Sequence, residues 1–224
     1  MYDTEQESFS QYKSLTTPDT ADCAASCLQK AAEGHGLTLQ EFLAKVDLFC
    51  FGSTHALNTV LTDRGSRVGI LTTKGHRDSY FIAEMDRGGY HDIREASERT
   101  FVPLVERELV AEVSERIDFA GRVVVPLYED EVRAKITALV EAGMEALVIG
   151  FLWSHRYPQH ELRVAEIARE MYPELHVTAG SEITGTLGEF TRLTTAVING
   201  YIGQRVEQQA ASLEKFLREN GLAV

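Results

Sequence analysis

The chain has 224 residues, a formal net charge of −12 and a sequence pI near 5.1. This length suffices for one large domain or two small ones with a buried core. An acidic chain without a basic stripe is not expected to bind nucleic acid or an anionic membrane surface. The polar, acidic start and three cysteines argue against a secretory signal and a disulfide framework, so we expect a cytoplasmic protein.

The first elements are indicated by their caps. Residues 1–13 form a polar segment, for which an edge strand and disorder both remain open. Thr17-Pro18-Asp19 predicts a helix start, with the threonine as N-cap and the proline at the first helical position, and the helix is expected to end near Ala32. Thr38-Leu39-Gln40-Glu41 has the pattern of a capping box and predicts a second, short helix.

The next stretch predicts a parallel crossover unit. Residues 48–51 are apolar and indicate a buried strand, 52–54 form a small-residue turn, and 57–61 have apolar residues at helical spacing. Residues 68–71 indicate a second buried strand. In a parallel sheet the turns at 52–54 and 72–75 would share the edge at which ligands bind.

The middle of the chain is less regular. Residues 79–85 are compatible with a helical turn or a strand, 86–89 with a flexible loop, and 101–109 with an extended segment. Residues 113–118 and 122–127 flank Phe119-Ala120-Gly121 and predict a β-hairpin, which would be an edge or inserted element.

Helices and strands alternate regularly in the last part of the chain. Helices are predicted at 129–142, 158–171 and 192–218, strands at 146–152 and 175–179, and a loop at 180–188. For the last helix, a continuous course and a break near Gly200 or Gly203 both remain open. Alternation of this kind predicts an α/β fold with a mostly parallel sheet, crossover helices and the inserted hairpin.

Polar residues follow four predicted strands or open the last helix. They are Gly52, Ser53, Thr54 and Asn58; Lys74, Arg77 and Asp78; His155, His160 and Glu161; and Glu182, Glu189 and Arg192. Small and hydroxyl residues allow close approach of a phosphate or carboxylate, cations hold anions, and paired carboxylates can exchange protons.

Each group also has a structural interpretation. The first is a tight turn, and the second is a solvated loop in which Asp78 caps a helix. In the third, Glu161 lies in a first helical turn, where the helix dipole favours it. The histidines lack a recognised zinc spacing, so no metal site is predicted. The residues alone therefore predict an α/β domain with several ligand-facing loops.

Several motifs together resemble one family. Phe51-Gly52-Ser53-Thr54-His55-Ala56-Leu57-Asn58 resembles HGTT-x-A-x-N, and residues 64–69 and 72–78 resemble RRGARVG and TTKGFRD. Residues 151–161 resemble FLHSYRNPAHE, and 181–199 resemble SSEV…EYERTSTTVLNAY. These motifs occur in the order of the N-terminal region of the hydantoinase A / 5-oxoprolinase / acetone carboxylase family. The resemblance runs from about Ser14 to Tyr201, which suggests a polar segment at 1–13, an α/β domain at 14–203 and the end of the last helix at 204–224.

The resemblance implies ATP-dependent chemistry on a fold related to the actin-like ATPases. Family members hydrolyse cyclic amides or carboxylate ketones after phosphorylation of the amide or enol oxygen. The implied partner is a hydantoinase B-type subunit or the other half of a hydantoinase A chain. An Asp-x-Gly-Gly-Thr phosphate loop has no counterpart before Ser14, so ATP and Mg²⁺ are expected only together with further parts of the family fold.

The sequence also differs from the family motifs. Phe51 and Trp153 stand where the family has histidine, although His155 is nearby, and Thr191 stands where it has glutamate. Three hypotheses follow: a component of an ATP-dependent enzyme, a non-catalytic interaction module that lost the ATP site, and a small-ligand binding domain. In the first, Gly52, Ser53, Thr54 and Asn58 line an inter-domain cleft. Lys74, Arg77 and Arg192 neutralise a phosphate or substrate anion, and Glu182 or Glu189 are polar cleft residues.

Overall fold

The computed structural model describes residues 1–4, 6–15, 17, 20–83 and 103–223. The chain divides into two compact units, Met1–Asn58 with Arg205–Val224, and Thr59–Gln204. No helix in the described ranges has the length and apolar character that a bilayer crossing requires.

The first unit is mainly helical. Strands β1 (Tyr2–Asp3) and β2 (Ser8–Phe9) pair antiparallel, and helices α1 (Thr20–Gly34) and α2 (Leu39–Leu43) follow. The predicted capping box at α2 is confirmed, because Thr38 Oγ1 accepts the backbone N–H of Glu41 and Glu41 accepts the backbone N–H of Thr38. Pro18 and Asp19 of the predicted α1 start lie outside the described residues. The apolar core of this unit comprises Ala31, Ala32, Phe42, Leu43, Leu213, Leu217 and Leu222.

The predicted strand at 48–51 is wrong. These residues, all within the described ranges, form no strand, and Leu48 and Phe51 are 77% and 45% exposed. A single extended segment leaves its backbone donors and acceptors unpaired unless another strand accepts them, so the apolar run alone does not form a ladder. The helix that follows, α3 (His55–Leu61), is confirmed.

The second unit contains the predicted parallel sheet. Its four strands are β3 (Val68–Thr73), β4 (Val110–Val113), β7 (Ala146–Gly150) and β8 (His176–Ala179), in the order β4-β3-β7-β8 and all parallel. The predicted hairpin is present as β5 (Arg116–Ile117) and β6 (Val123–Val125), paired antiparallel. Its first arm is shorter than the predicted 113–118, and Val113 belongs to the parallel sheet instead.

The helices around the sheet follow the predicted pattern with two corrections. The described elements are α4 (Ser79–Ile82), α5 (Glu129–Glu141), α6 (Gln159–Met171), α7 (Gly180–Ile183) and α8 (Glu189–Glu219), with a 3₁₀ turn at Arg107–Leu109. The 3₁₀ turn replaces the end of the predicted extended segment 101–109, and α7 replaces part of the predicted loop 180–188. Helix α8 has no break. The loop prediction at 86–89, and the ends of 79–85 and 101–109 that fall within 84–102, lie outside the described residues.

The glycines in α8 allow close packing. A Cβ atom on Gly200 would lie 2.8 Å from Val148 Cγ2, and one on Gly203 would lie 2.6 Å from His176 Nε2. Contact with the sheet stabilises the helix enough to offset the low helix propensity of glycine. For this reason both residues remain within one continuous helix.

Candidate active site at the carboxyl edge of the sheet

The four parallel strands end at Thr73, Val113, Gly150 and Ala179 on one edge of the sheet. The segments that leave this edge carry most of the candidate residues from the sequence. Ligands bind at such an edge in open α/β sheets. The polar side chains at this edge therefore form the candidate site.

Glu161 links two of these segments. It lies in the first turn of α6 and is fully buried, and its carboxylate accepts the backbone N–H groups of Phe151 at 2.7 Å and Ser181 at 2.9 Å. A buried carboxylate is stable only where such donors replace water. Glu161 thus fixes the loops after β7 and β8 relative to each other.

Arg192 lies against the same loops and is only 2% exposed. Its guanidinium donates to the carbonyl oxygens of Phe151 at 3.0 Å and Thr186 at 3.2 Å. Within the described ranges it forms no ion pair with a carboxylate. Arg192 lines a cavity of about 20 Å³ together with Glu189, Thr72, His76, Ser79 and other residues. A buried cation next to free space suits a group that carries partial or full negative charge.

Glu115 and His160 form a second buried polar group. Glu115 lies two residues after the end of β4, and its side chain is 1% exposed. One carboxylate oxygen is bonded to Thr73 Oγ1, and the other lies 2.8 Å from His160 Nδ1. Thr73 Oγ1 also accepts the backbone N–H of Leu152 at 3.3 Å. Segments after β3, β4 and β7 thus meet at one carboxylate.

Lys74 and Arg77 lie in a wider cleft beside β4. The cleft has a volume of about 370 Å³ and is lined by three basic residues (Lys74, Arg77, Lys135) and three acidic residues (Glu108, Glu112, Glu131). Glu112 accepts the backbone N–H groups of Gly75 and Arg77 at 2.8 Å and 3.0 Å, which holds the loop after β3. The cleft is large enough for a small ligand, but its equal numbers of basic and acidic residues do not favour binding of a purely anionic one.

Two predicted roles are corrected. Asp78 precedes α4 but makes no capping hydrogen bond, because its carboxylate pairs with Arg107 instead. Glu182 and Glu189 do not form a carboxylate pair: Glu182 pairs with Arg169 at 3.1 Å on the surface, whereas Glu189 lines the small cavity. The ionised Glu182 is more stable beside Arg169 than beside a second carboxylate, because like charges repel.

The loop after β7 turns at Trp153, whose φ of 62° is left-handed. The indole ring lies 6.4 Å from the ring of Phe119 at the hairpin tip and 5.8 Å from the ring of His155. A non-glycine residue in this conformation carries a cost of about 1 kcal/mol or more, which the aromatic contacts help to offset. His155 therefore packs against the Trp153 ring, whereas His160 contacts Glu115.

Gly52, Ser53, Thr54 and Asn58 lie in the first unit and are exposed. Ser53 Oγ accepts the backbone N–H of His55 at 3.1 Å, and the Thr54 carbonyl accepts the backbone N–H of Asn58 at 2.9 Å. These bonds open α3 and do not follow a strand. The predicted placement of this turn at a strand end is therefore wrong.

Sequence reasoning misses Glu115, Thr73 and Lys135 as site residues. The sequence pattern assigns Glu115 to the first arm of the hairpin. For this reason it is not recognised as a carboxylate that comes after a strand of the parallel sheet. The segment Val110–Val113 carries the signal that could reveal it, because its outer residues are apolar and a polar pair follows directly.

The comparison with known families decides the relationship. Residues 1–172 match the model described as the hydantoinase/oxoprolinase N-terminal region. The chain belongs to this family. The match begins ahead of Ser14, where the motif resemblance begins, and the resemblance found in the motifs is confirmed.

Two relatives are similar to this chain over most of its length. The acetophenone carboxylase gamma subunit of Aromatoleum aromaticum is 35% identical over 223 residues, which cover 93% of this chain and 30% of the relative. The caprolactamase subunit alpha of Pseudomonas jessenii is 32% identical over 214 residues, which cover 94% of this chain and 30% of that relative. The chain thus spans under a third of the length of these relatives.

A solved structure confirms the fold. The nucleotide-free structure of acetone carboxylase, from work on the mechanism of ATP-dependent acetone carboxylation, superposes with a TM-score of 0.83 at 27% identity. The superposition covers 94% of this chain and 31% of that chain. The α/β architecture with a mostly parallel sheet is therefore that of the family.

The cavity beside Arg192 and the cleft beside β4 do not by themselves fit a nucleoside triphosphate. The space beside Arg192 is about 20 Å³ and admits one oxygen-sized group. The larger cleft balances three cations with three carboxylates. One oxygen-sized group fits beside Arg192, whereas a whole nucleoside triphosphate exceeds this cavity.

Proposed function

We propose that this chain is a component of an ATP-dependent enzyme that activates a cyclic amide or a ketone by phosphorylation of its carbonyl oxygen. The family relationship supports the reaction class, since relatives are named caprolactamase, 5-oxoprolinase and acetophenone or acetone carboxylase. ATP and Mg²⁺ belong to the proposal only together with further polypeptide that completes the nucleotide site.

The observation that carries the proposal is the buried guanidinium of Arg192 beside a small cavity. Phosphorylation of an amide or enol oxygen requires negative charge to develop on that oxygen. A fixed cation in a site with little water stabilises such charge more strongly than water does. The free space beside Arg192 has room for one oxygen, and Phe151 and Thr186 already hold the guanidinium in place.

The proposed partner is a hydantoinase B-type subunit or the remaining half of a hydantoinase A chain. Three relatives are named as subunits, which supports an assembly of more than one polypeptide. The small-molecule substrate would be a cyclic amide or a ketone. In either class the carbonyl oxygen is the atom that Arg192 would contact.

The test is an assay of ATP binding and ADP release by the full chain, alone and with proteins encoded beside it. A panel of hydantoin, 5-oxoproline, caprolactam, acetone and acetophenone serves as substrate. We expect one substrate class to stimulate ADP release in the assembly. Arg192→Lys should lower that stimulation about 100-fold, because an ammonium group cannot keep both carbonyl contacts and also contact the substrate oxygen.

Arg169→Lys is the matched control, since this arginine forms an exposed pair with Glu182. It is expected to leave ADP release unchanged. Absence of nucleotide binding and turnover under every condition would overturn the enzyme proposal. The chain would then be better described as a non-catalytic interaction module of the family.

A further inference from the structure

Glu115 is a buried carboxylate with a defined donor on each oxygen. Thr73 bonds to Oε1, and His160 Nδ1 lies 2.8 Å from Oε2. When this carboxylate is ionised it only accepts hydrogen bonds, and both partners then donate. The Thr73 hydroxyl donates its hydrogen to Glu115 Oε1, and its oxygen accepts the backbone N–H of Leu152.

This arrangement assigns the proton of the His160 ring. If Nδ1 donates to Glu115, the neutral imidazole carries its hydrogen on Nδ1 and a lone pair on Nε2. A hydrogen bond at one ring nitrogen sets the role of the other, which is how carboxylates orient histidine bases in hydrolytic enzymes. The buried Glu115 would also balance the charge of the imidazolium once Nε2 has taken a proton.

The other nitrogen of His160 is available. The side chain is 12% exposed, and within the described ranges Nε2 has no hydrogen-bond partner. His155 differs, since its Nδ1 is buried without a partner in the same part of the chain. A histidine with only a structural role would have no need of an accessible second nitrogen beside a buried carboxylate.

We propose that His160 is the proton-accepting residue of this domain and that Glu115 is the residue that positions it. The proposal rests on the proposed function for the identity of the proton. In that reaction, the Nε2 lone pair takes the proton from the nitrogen or carbon next to the substrate carbonyl. The electron pair of the broken N–H or C–H bond forms a C=N or C=C bond, and the negative charge moves to the carbonyl oxygen. His160 later releases the proton to water.

The first experiment needs no substrate and uses the unmodified full chain. Long-range ¹H–¹⁵N NMR spectra at pH 8 distinguish the two neutral histidine tautomers, and His160→Gln assigns the signal among the seven histidines. We expect the Nδ1–H form for His160. Glu115→Gln is expected to shift it towards the Nε2–H form, which is the more stable tautomer in water.

Glu112→Gln is the matched control. Glu112 is a carboxylate of the neighbouring β4 and binds two backbone N–H groups instead of a histidine. Its substitution should leave the His160 tautomer unchanged.

Carbethoxylation with diethyl pyrocarbonate, read by mass spectrometry, then tests access to Nε2. An Nε2–H tautomer in the unmodified chain, or a His160 that stays unreacted while other histidines react, would overturn the proposal.

The second experiment uses the assembly that turns over. His160→Ala is expected to lower turnover about 100-fold, and added imidazole is expected to restore part of it, which a purely structural defect would not allow. Normal turnover in this variant would overturn the proposal. If no assembly turns over while the Nδ1–H form is intact, the result counts against the proposed function and not against the placement of His160.

Discussion

The substitution Glu161→Gln tests whether the buried carboxylate holds the carboxyl edge together. Glu161 accepts the N–H groups of Phe151 and Ser181, one on each oxygen. Glutamine keeps one oxygen and places an NH₂ group against the other N–H, so that two donors face each other. A hydrogen bond to a charged group contributes about 1.5–3 kcal/mol, and an unpaired buried donor costs about 1–3 kcal/mol. Since these effects overlap, we expect the free energy of unfolding to fall by about 2–4 kcal/mol.

The assay is urea unfolding followed by circular dichroism, together with hydrogen exchange of the Phe151 and Ser181 amides. Both amides should exchange faster in the variant. Glu166→Gln is the matched control on the same helix, since Glu166 is exposed and pairs with Arg163 at 3.0 Å. Surface pairs of this kind contribute about 0–1 kcal/mol. If Glu161→Gln changes the unfolding free energy no more than this control, the Glu161 carboxylate does not hold the two loops together.

Two further predictions concern packing and capping. Gly200→Ala should lower the free energy of unfolding by about 1–3 kcal/mol, because the added Cβ would lie 2.8 Å from Val148 Cγ2. Thermal unfolding measures this, and Gly52→Ala, which meets no atom within 4 Å, serves as control; equal effects of both would contradict the packing argument. In the capping box, hydrogen bonds from the backbone N–H and hydroxyl of Thr38 lower the pKa of Glu41 below its usual 4.5. A lowered pKa stabilises the folded state above the unfolded-state value, and this stabilisation is lost as the pH falls through the folded-state value. Glu41→Gln should therefore be less stable than the unmodified chain at pH 7 and approach it in acid, as urea unfolding at several pH values can show; a constant difference would contradict this assignment.

Local patterns determined the secondary structure of the second unit. Apolar runs at 68–71 and 146–152, and helical spacing at 129–142 and 158–171, predicted elements that the structure confirms within a few residues. These patterns succeed because burial of one face depends mainly on residue type and spacing. The order of the family motifs likewise identified the relationship that the comparison confirms.

The same local reasoning failed where an element depends on a distant partner. Residues 48–51 are as apolar as a buried strand, yet a strand exists only when another segment completes its hydrogen bonds. The low helix propensity of Gly200 and Gly203 left a break open, whereas their close approach to Val148 and His176 explains why the helix continues through both. Propensity is a weak local effect that packing overrides.

The candidate site divides in the same way. The sequence by itself determined that His160, Glu161 and Arg192 lie near strand ends, because strand position and motif order are local properties. Only the tertiary structure decided their roles. It paired His160 with Glu115, which lies 45 residues away along the chain, joined Glu161 to two loops, and left Arg192 buried beside a small cavity. Hydrogen-bond partners of buried charges are set by the meeting of separate strands at one sheet edge, and no spacing along the chain encodes that meeting.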